Sequence, residues 1–167
     1  MSATPPDPIK HALWLQFGAA IDTLSAAIEQ CPDDLWEHGP VTRAPWYHAF
    51  HTLFWTDHYT AATPVGFAPP APFGMEEFDE AGAYPPRAYT KDELRTYLQF
   101  CRAKVKARIE NSDLLESAEP WRNWPGATLL EMCMYSMRHV QHHAAQMNLI
   151  MRQERDFAPR WVSRARA

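Results

Sequence analysis

Residues 138–148 read RHVQHHAAQMN and form the centre of an amphipathic run from Ala127 to Arg155. His139 and His143 are four apart, so on a helix they stack on one face with Cβ atoms roughly 6 Å apart, close enough for two imidazoles to share a metal ion. On a helical wheel both fall beside Met132, Cys133 and Ile150, the side such a helix has to bury. His142 points elsewhere, toward solvent. Two nitrogens on one helix are half a metal site, and another part of the chain has to supply a third ligand.

Working outward, Thr90-Lys91-Asp92-Glu93 is a capping-box signature. It opens a helix over about 91–112, with Leu94, Tyr97, Leu98, Cys101, Val105 and Ile109 recurring every three or four residues. The opposite face carries Lys91, Arg95, Arg102, Lys104, Lys106 and Arg108. No aromatic residues interleave with these cations, so they read as a solvated face rather than a nucleic-acid stripe. Further back, residues 44–62 read APWYHAFHTLFWTDHYTAA. Pro45 suits a first turn, and Trp46, Tyr47, Phe50, Leu53 and Phe54 make a broad apolar stripe. His51 and His58 lie on one edge of that stripe, with His51 better placed for the interior. His48 falls about 60° further round, toward solvent. A first helix over 8–31 is capped by Asp7 and closed at Cys31-Pro32.

Four amphipathic segments, at about 8–31, 44–62, 91–112 and 128–155, with no strand-like alternation, predict an all-α chain. The simplest arrangement is a four-helix bundle, one domain spanning 1–167. Its second and third helices are joined by a long Pro-rich connection, Thr63–Tyr89, carrying six prolines and the acidic residues Glu76, Glu77, Asp79 and Glu80. Phe67, Phe73, Phe78, Tyr84 and Tyr89 suggest that this loop lies against the protein, either as a surface wrap or as a lid over a pocket. Trp121 and Trp124 would anchor the next loop. The basic tail after Arg155 is expected to fray, with Trp161 able to dock.

Composition narrows the function. Hydrophobic residues are 46% and charged residues 22% of the 167, near globular averages, which argues against disorder. A net charge of −4 gives no general attraction to nucleic acid or to an anionic membrane. No apolar run approaches the roughly 18 residues of a membrane span. The opening MSATPPDPIK lacks the basic-then-apolar order of a secretory signal, so the expected location is cytoplasmic. Cys31, Cys101 and Cys133 are isolated from one another and read as reduced, structural residues.

In a helical bundle, ligands come from inward side chains on neighbouring helices. His51 can meet His139 and His143 if the second and fourth helices adjoin. Three neutral imidazoles suit Zn²⁺, Ni²⁺ or Fe²⁺ and leave a position open for water or substrate. No Glu follows His139, so this is not the HExxH protease arrangement. The spacing alone equally allows the histidines to be hydrogen-bonded residues at the core edge.

Three segments carry a family resemblance: CPDDLWEHGP at 31–40, APWYHAFHTLFWTDHY at 44–59 and RHVQHHAAQMNLIMRQ at 138–153. In these the chain resembles the DinB/YfiT-like superfamily of four-helix metal-dependent proteins. The resemblance implies a metal triad of one second-helix histidine and the HxxxH pair, here His51, His139 and His143, with His48 competing if the register shifts. It further implies an enzyme acting on a small-molecule substrate, since some relatives are transferases or isomerases dependent on a low-molecular-weight thiol such as mycothiol or bacillithiol. Asp57 and His58 are then candidates to support the ligands, and Tyr47, Trp55 and Met132 to line the pocket. The alternative is a non-catalytic metal- or small-ligand-binding helical dimer. A third reading is a structural, dimerising module, and a homodimer is compatible with all three.

Overall fold

Asp7 opens the first helix by accepting hydrogen bonds from the backbone N–H groups of Ile9 and Lys10 at 2.8 and 3.2 Å. That helix is α1, Pro8–Gln30. In this computed structural model, which describes residues 7–166, five more α-helices follow: α2 (Asp33–Trp36), α3 (Pro45–Tyr59), α4 (Lys91–Asn111), α5 (Glu119–Arg122) and α6 (Leu129–Arg155). Among the described residues there is no strand, only an isolated bridge between Ser117 and Thr128, so the all-α expectation is borne out. The capping box at Thr90 forms in both directions. The helix in 44–62 stops early, at Tyr59. Thr60 turns its hydroxyl back onto the Thr56 carbonyl at 2.7 Å, and the chain leaves helical geometry ahead of Pro64.

The long helices pack in a ring. α1 lies against α6 and α4, and α3 lies against the same two from the other side. The shared core is built from Phe17, Ile21, Leu24, Phe50, Leu98 and Met147, all at most 1% exposed. Among the described residues no helix is long and apolar enough to cross a membrane.

The helical-wheel picture fails most clearly on α3. Only Tyr47, His51 and Trp55 escape full burial, because α6, α4 and the segment 60–90 cover the other sides. His48, expected toward solvent, is therefore buried. The loop 63–89 does lie against the protein. Phe73 stacks on Tyr97 with centroids 4.4 Å apart, Phe78 meets Phe54 at 5.1 Å, and the Trp36 indole donates to the Tyr89 carbonyl at 2.9 Å.

Two further expectations need correction. The cationic face of α4 is not simply solvated: Arg102 pairs with buried Asp22 at 2.9 Å, Arg108 with Glu116 at 2.5 Å, and Lys104 with buried Asp57. These side chains are long enough to reach from the flank of α4 across to neighbouring elements. The tail does not fray either. Ala165 N–H donates to the Leu15 carbonyl at 2.9 Å and Arg166 N–H to Asp22 at 2.7 Å, laying the segment along α1. Gly18 permits this approach, since a Cβ there would come within 2.5 Å of the Ala165 methyl. Trp161, by contrast, is exposed.

Candidate metal centre

His139 and His143 lie one turn apart on α6, and His51 faces them from α3. The Nε2 atoms of His139 and His51 are 3.1 Å apart, and those of His139 and His143 are 3.0 Å apart. One nitrogen from each ring lies within 4.8 Å of the others, so the three histidines form a group that could hold a metal ion. Two nitrogens bound to one ion at roughly 2.1 Å, subtending roughly 90–110°, lie roughly 3.0–3.4 Å apart. The two spacings from His139 fit that range.

Protonation is set by what stands behind each ring. His51 Nδ1 donates to Glu77 Oε2 at 2.6 Å, and the Trp55 indole donates to the same oxygen at 2.8 Å. An ionised carboxylate only accepts, so the His51 proton sits on Nδ1 and its Nε2 lone pair faces the other two rings. Burial works to raise the Glu77 pKa, but the polar groups of His51, Tyr47 and Trp55 around it outweigh that, and the net shift is downward. Behind His143, its Nδ1 is 3.3 Å from His48 Nδ1. One of the two rings donates across that contact, and when the proton is on His143 Nδ1 its Nε2 points bare at the common centre. His139 Nδ1 is buried with no partner among the described residues.

All three rings near the centre of α6 resist protonation. Burial, reinforced by neighbouring imidazoles, pushes His139 and His48 down to about 4 and His143 to about 3. The neutral form is the one that ligates a metal.

A model of the DinB superfamily matches residues 16–147, which include His51, His139 and His143. This chain belongs to the DinB superfamily. No curated protein and no solved structure gives a significant match.

Within this DinB-superfamily chain the supporting residues differ from those expected. Asp57 accepts from Tyr97 Oη at 2.9 Å and pairs with Lys104, a buried network on the α4 side of α3. His58 packs its ring against Phe67 and Phe78, and its Nδ1 has no partner among the described residues. Neither supports the trio; Glu77 and His48 do. Glu77 was legible only as one of four loop acids. The sole hint was the Glu76-Glu77-Phe78 run, where an aromatic residue follows two acids, and it folds as a 3₁₀ turn that brings the carboxylate inward. Tyr47 and Trp55 do border the site: the Tyr47 ring lies 6.1 Å from that of His51. His142 is exposed, as the wheel predicted. Cys133 is fully buried, its thiol pushed up to about 12 by desolvation, which disfavours a thiolate ligand.

Proposed function

We propose that this DinB-superfamily protein is a divalent-metal-dependent enzyme acting on a small molecule, with His51, His139 and His143 as the metal ligands. The observation that carries the reading is the convergence of ring nitrogens from His51, His139 and His143, with the His51 tautomer set by Glu77. In this reading the chain is one domain, a four-helix bundle whose second and fourth long helices supply the ligands. Zinc, nickel and iron(II) all suit three imidazoles. A bound divalent ion would lower the pKa of a coordinated thiol or water and so make a nucleophile available near neutral pH.

The chain's own groups do the rest. Glu77 holds the His51 proton on Nδ1 and fixes the ring's direction, as carboxylates behind ligating histidines generally do. His48 contacts His143 Nδ1 from inside the α3–α6 interface and helps fix the direction of that ring. Trp55 and Tyr47 flank Glu77 and His51, restricting water on that side. The loop 63–89, through Glu77, becomes a structural part of the centre rather than a detached cover. A low-molecular-weight thiol is the co-substrate class proposed, and a cytoplasmic homodimer the state in which it works.

The test is metal content of untagged protein purified beside His51→Ala and His139→Ala variants. Stoichiometric metal in the wild type and loss in both variants is expected, and equal content in all three removes the reading. Turnover across a panel of thiols with electrophilic acceptors then separates the enzyme from a protein that binds metal or a small ligand without turnover. Saturable, metal-dependent product is expected.

A further inference from the structure

A cleft of about 550 Å³ opens beside His139, lined also by Tyr135, Arg138 and His142. Its volume is that of a small-molecule site. All of its lining residues belong to α6, and His139 is the member of the histidine trio among them. Arg138 and His142 are exposed on the same flank of α6. The Arg122 guanidinium, which touches the cleft-lining Tyr135, is clasped by three aromatic rings, with its carbon 5.8 Å from the Tyr59 centroid, 4.8 Å from Trp124 and 4.9 Å from Tyr135. It donates to Tyr59 Oη at 2.7 Å. Tyr135 is shared: it lines the cleft, touches Arg122, and lies parallel to the His139 ring at 6.5 Å.

Among the described residues, neither Arg122 nor Arg138 has a carboxylate partner, as is also so for Arg43, Arg152 and Arg160, while Arg87, Arg95, Arg102, Arg108 and Arg155 each pair with one. A guanidinium pre-oriented by stacking yet free of an anion loses little freedom when one arrives, and its fork matches an oxyanion bidentately.

We propose that this cleft is an anion subsite and that the small molecule taken by the protein is an organic oxyanion, its carboxylate or phosphate held by Arg138 and Arg122 beside the histidine centre. The assignment of the cleft as a substrate site rests on the metal-centre reading above, but the two fail separately. Arg138 and Arg122 anchor the anionic head, Tyr135 packs against the body of the ligand, and the histidine trio lies at the cleft wall.

The test is calorimetric titration of the full chain, zinc-loaded and metal-stripped, with benzoate, phenyl phosphate and neutral benzyl alcohol. One or both anions should bind the wild type in both metal states and benzyl alcohol should not, with phosphate against carboxylate preference identifying the head group. Arg138→Gln lies on an exposed helix flank and Arg122→Lys keeps the cage filled, so each should fold normally by circular dichroism and retain zinc. Each should weaken anion binding about tenfold or more. Absence of anion binding, equal binding of the neutral probe, or unchanged affinity in both arginine variants would overturn the proposal. Anion binding that needs zinc but not the arginines would overturn it too. Loss of zinc binding with anion binding intact would instead remove only the metal-centre reading.

Discussion

Glu77→Gln isolates what the loop carboxylate does for the histidine centre. Both hydrogen bonds to this side chain fall on Oε2, from His51 at 2.6 Å and Trp55 at 2.8 Å, while Oε1 is buried without a partner. A glutamine can place its carbonyl at the Oε2 position and keep both contacts, so shape is conserved and only the charge is lost. Charge-assisted hydrogen bonds are roughly twice as strong as neutral ones, and removing the partner behind a ligating histidine typically costs tenfold to a hundredfold in metal affinity. That corresponds to about 1.4–2.8 kcal/mol. Glu77→Ala goes further, leaving two N–H donors of the site without their acceptor at about 1–3 kcal/mol each. At about 2–6 kcal/mol in total it should lower Tm by about 4–24 °C, given about 2–4 °C per kcal/mol for a chain of this size. The assay is zinc affinity by chelator competition at neutral pH, paired with thermal melts of metal-free protein. Glutamine should weaken zinc at least tenfold with the melt nearly unchanged, and alanine should lower both. Zinc affinity within twofold of wild type in both variants refutes the argument that Glu77 orients and polarises His51.

Acid should destabilise the metal-free protein through its depressed histidines. His48, His139 and His143 stay neutral in the fold down to about 4, 4 and 3, whereas in the unfolded chain they protonate near the ordinary value of about 6.5. The unfolded state therefore binds more protons between those limits, so stability is intact above about pH 6.5 and falls as pH drops toward 4; urea melts across that range check it, and a flat profile contradicts it. Lys104→Met strands the buried Asp57 carboxylate and should cost about 3–5 kcal/mol in denaturant unfolding, while an effect below 1 kcal/mol would mean that this pair does not hold α3 to α4. Gly18→Val places side-chain atoms where the Ala165 methyl lies, so limited proteolysis should cleave the segment after Arg155 faster than in wild type, with zinc content unchanged.

The sequence by itself determined the helices. Caps such as Asp7 and the Thr90–Glu93 box, the helical recurrence of apolar residues, and prolines at the boundaries are local signals, and helix formation reads them locally. The HxxxH pair was legible for the same reason, because four residues on one helix fix a mutual distance whatever surrounds them. The family resemblance was legible in residues 31–40, 44–59 and 138–153, and membership rests on the match over residues 16–147.

Only the tertiary structure decided which sides are inside. A helical wheel assigns one buried stripe, but α3 is enclosed by α6, α4 and the loop at once, so His48 turned out to be an interior partner of His143 rather than a surface residue. The convergence of His51 on the α6 pair depends on how two helices nearly ninety residues apart in sequence are rotated and paired, which no local spacing encodes. Glu77 was beyond reach for a related reason: an irregular Pro-rich loop has no period from which the direction of a side chain can be read. The long cations of α4 followed the same rule, since a flexible side chain takes its environment from whatever acid folding brings near it, as Asp22 and Asp57 show.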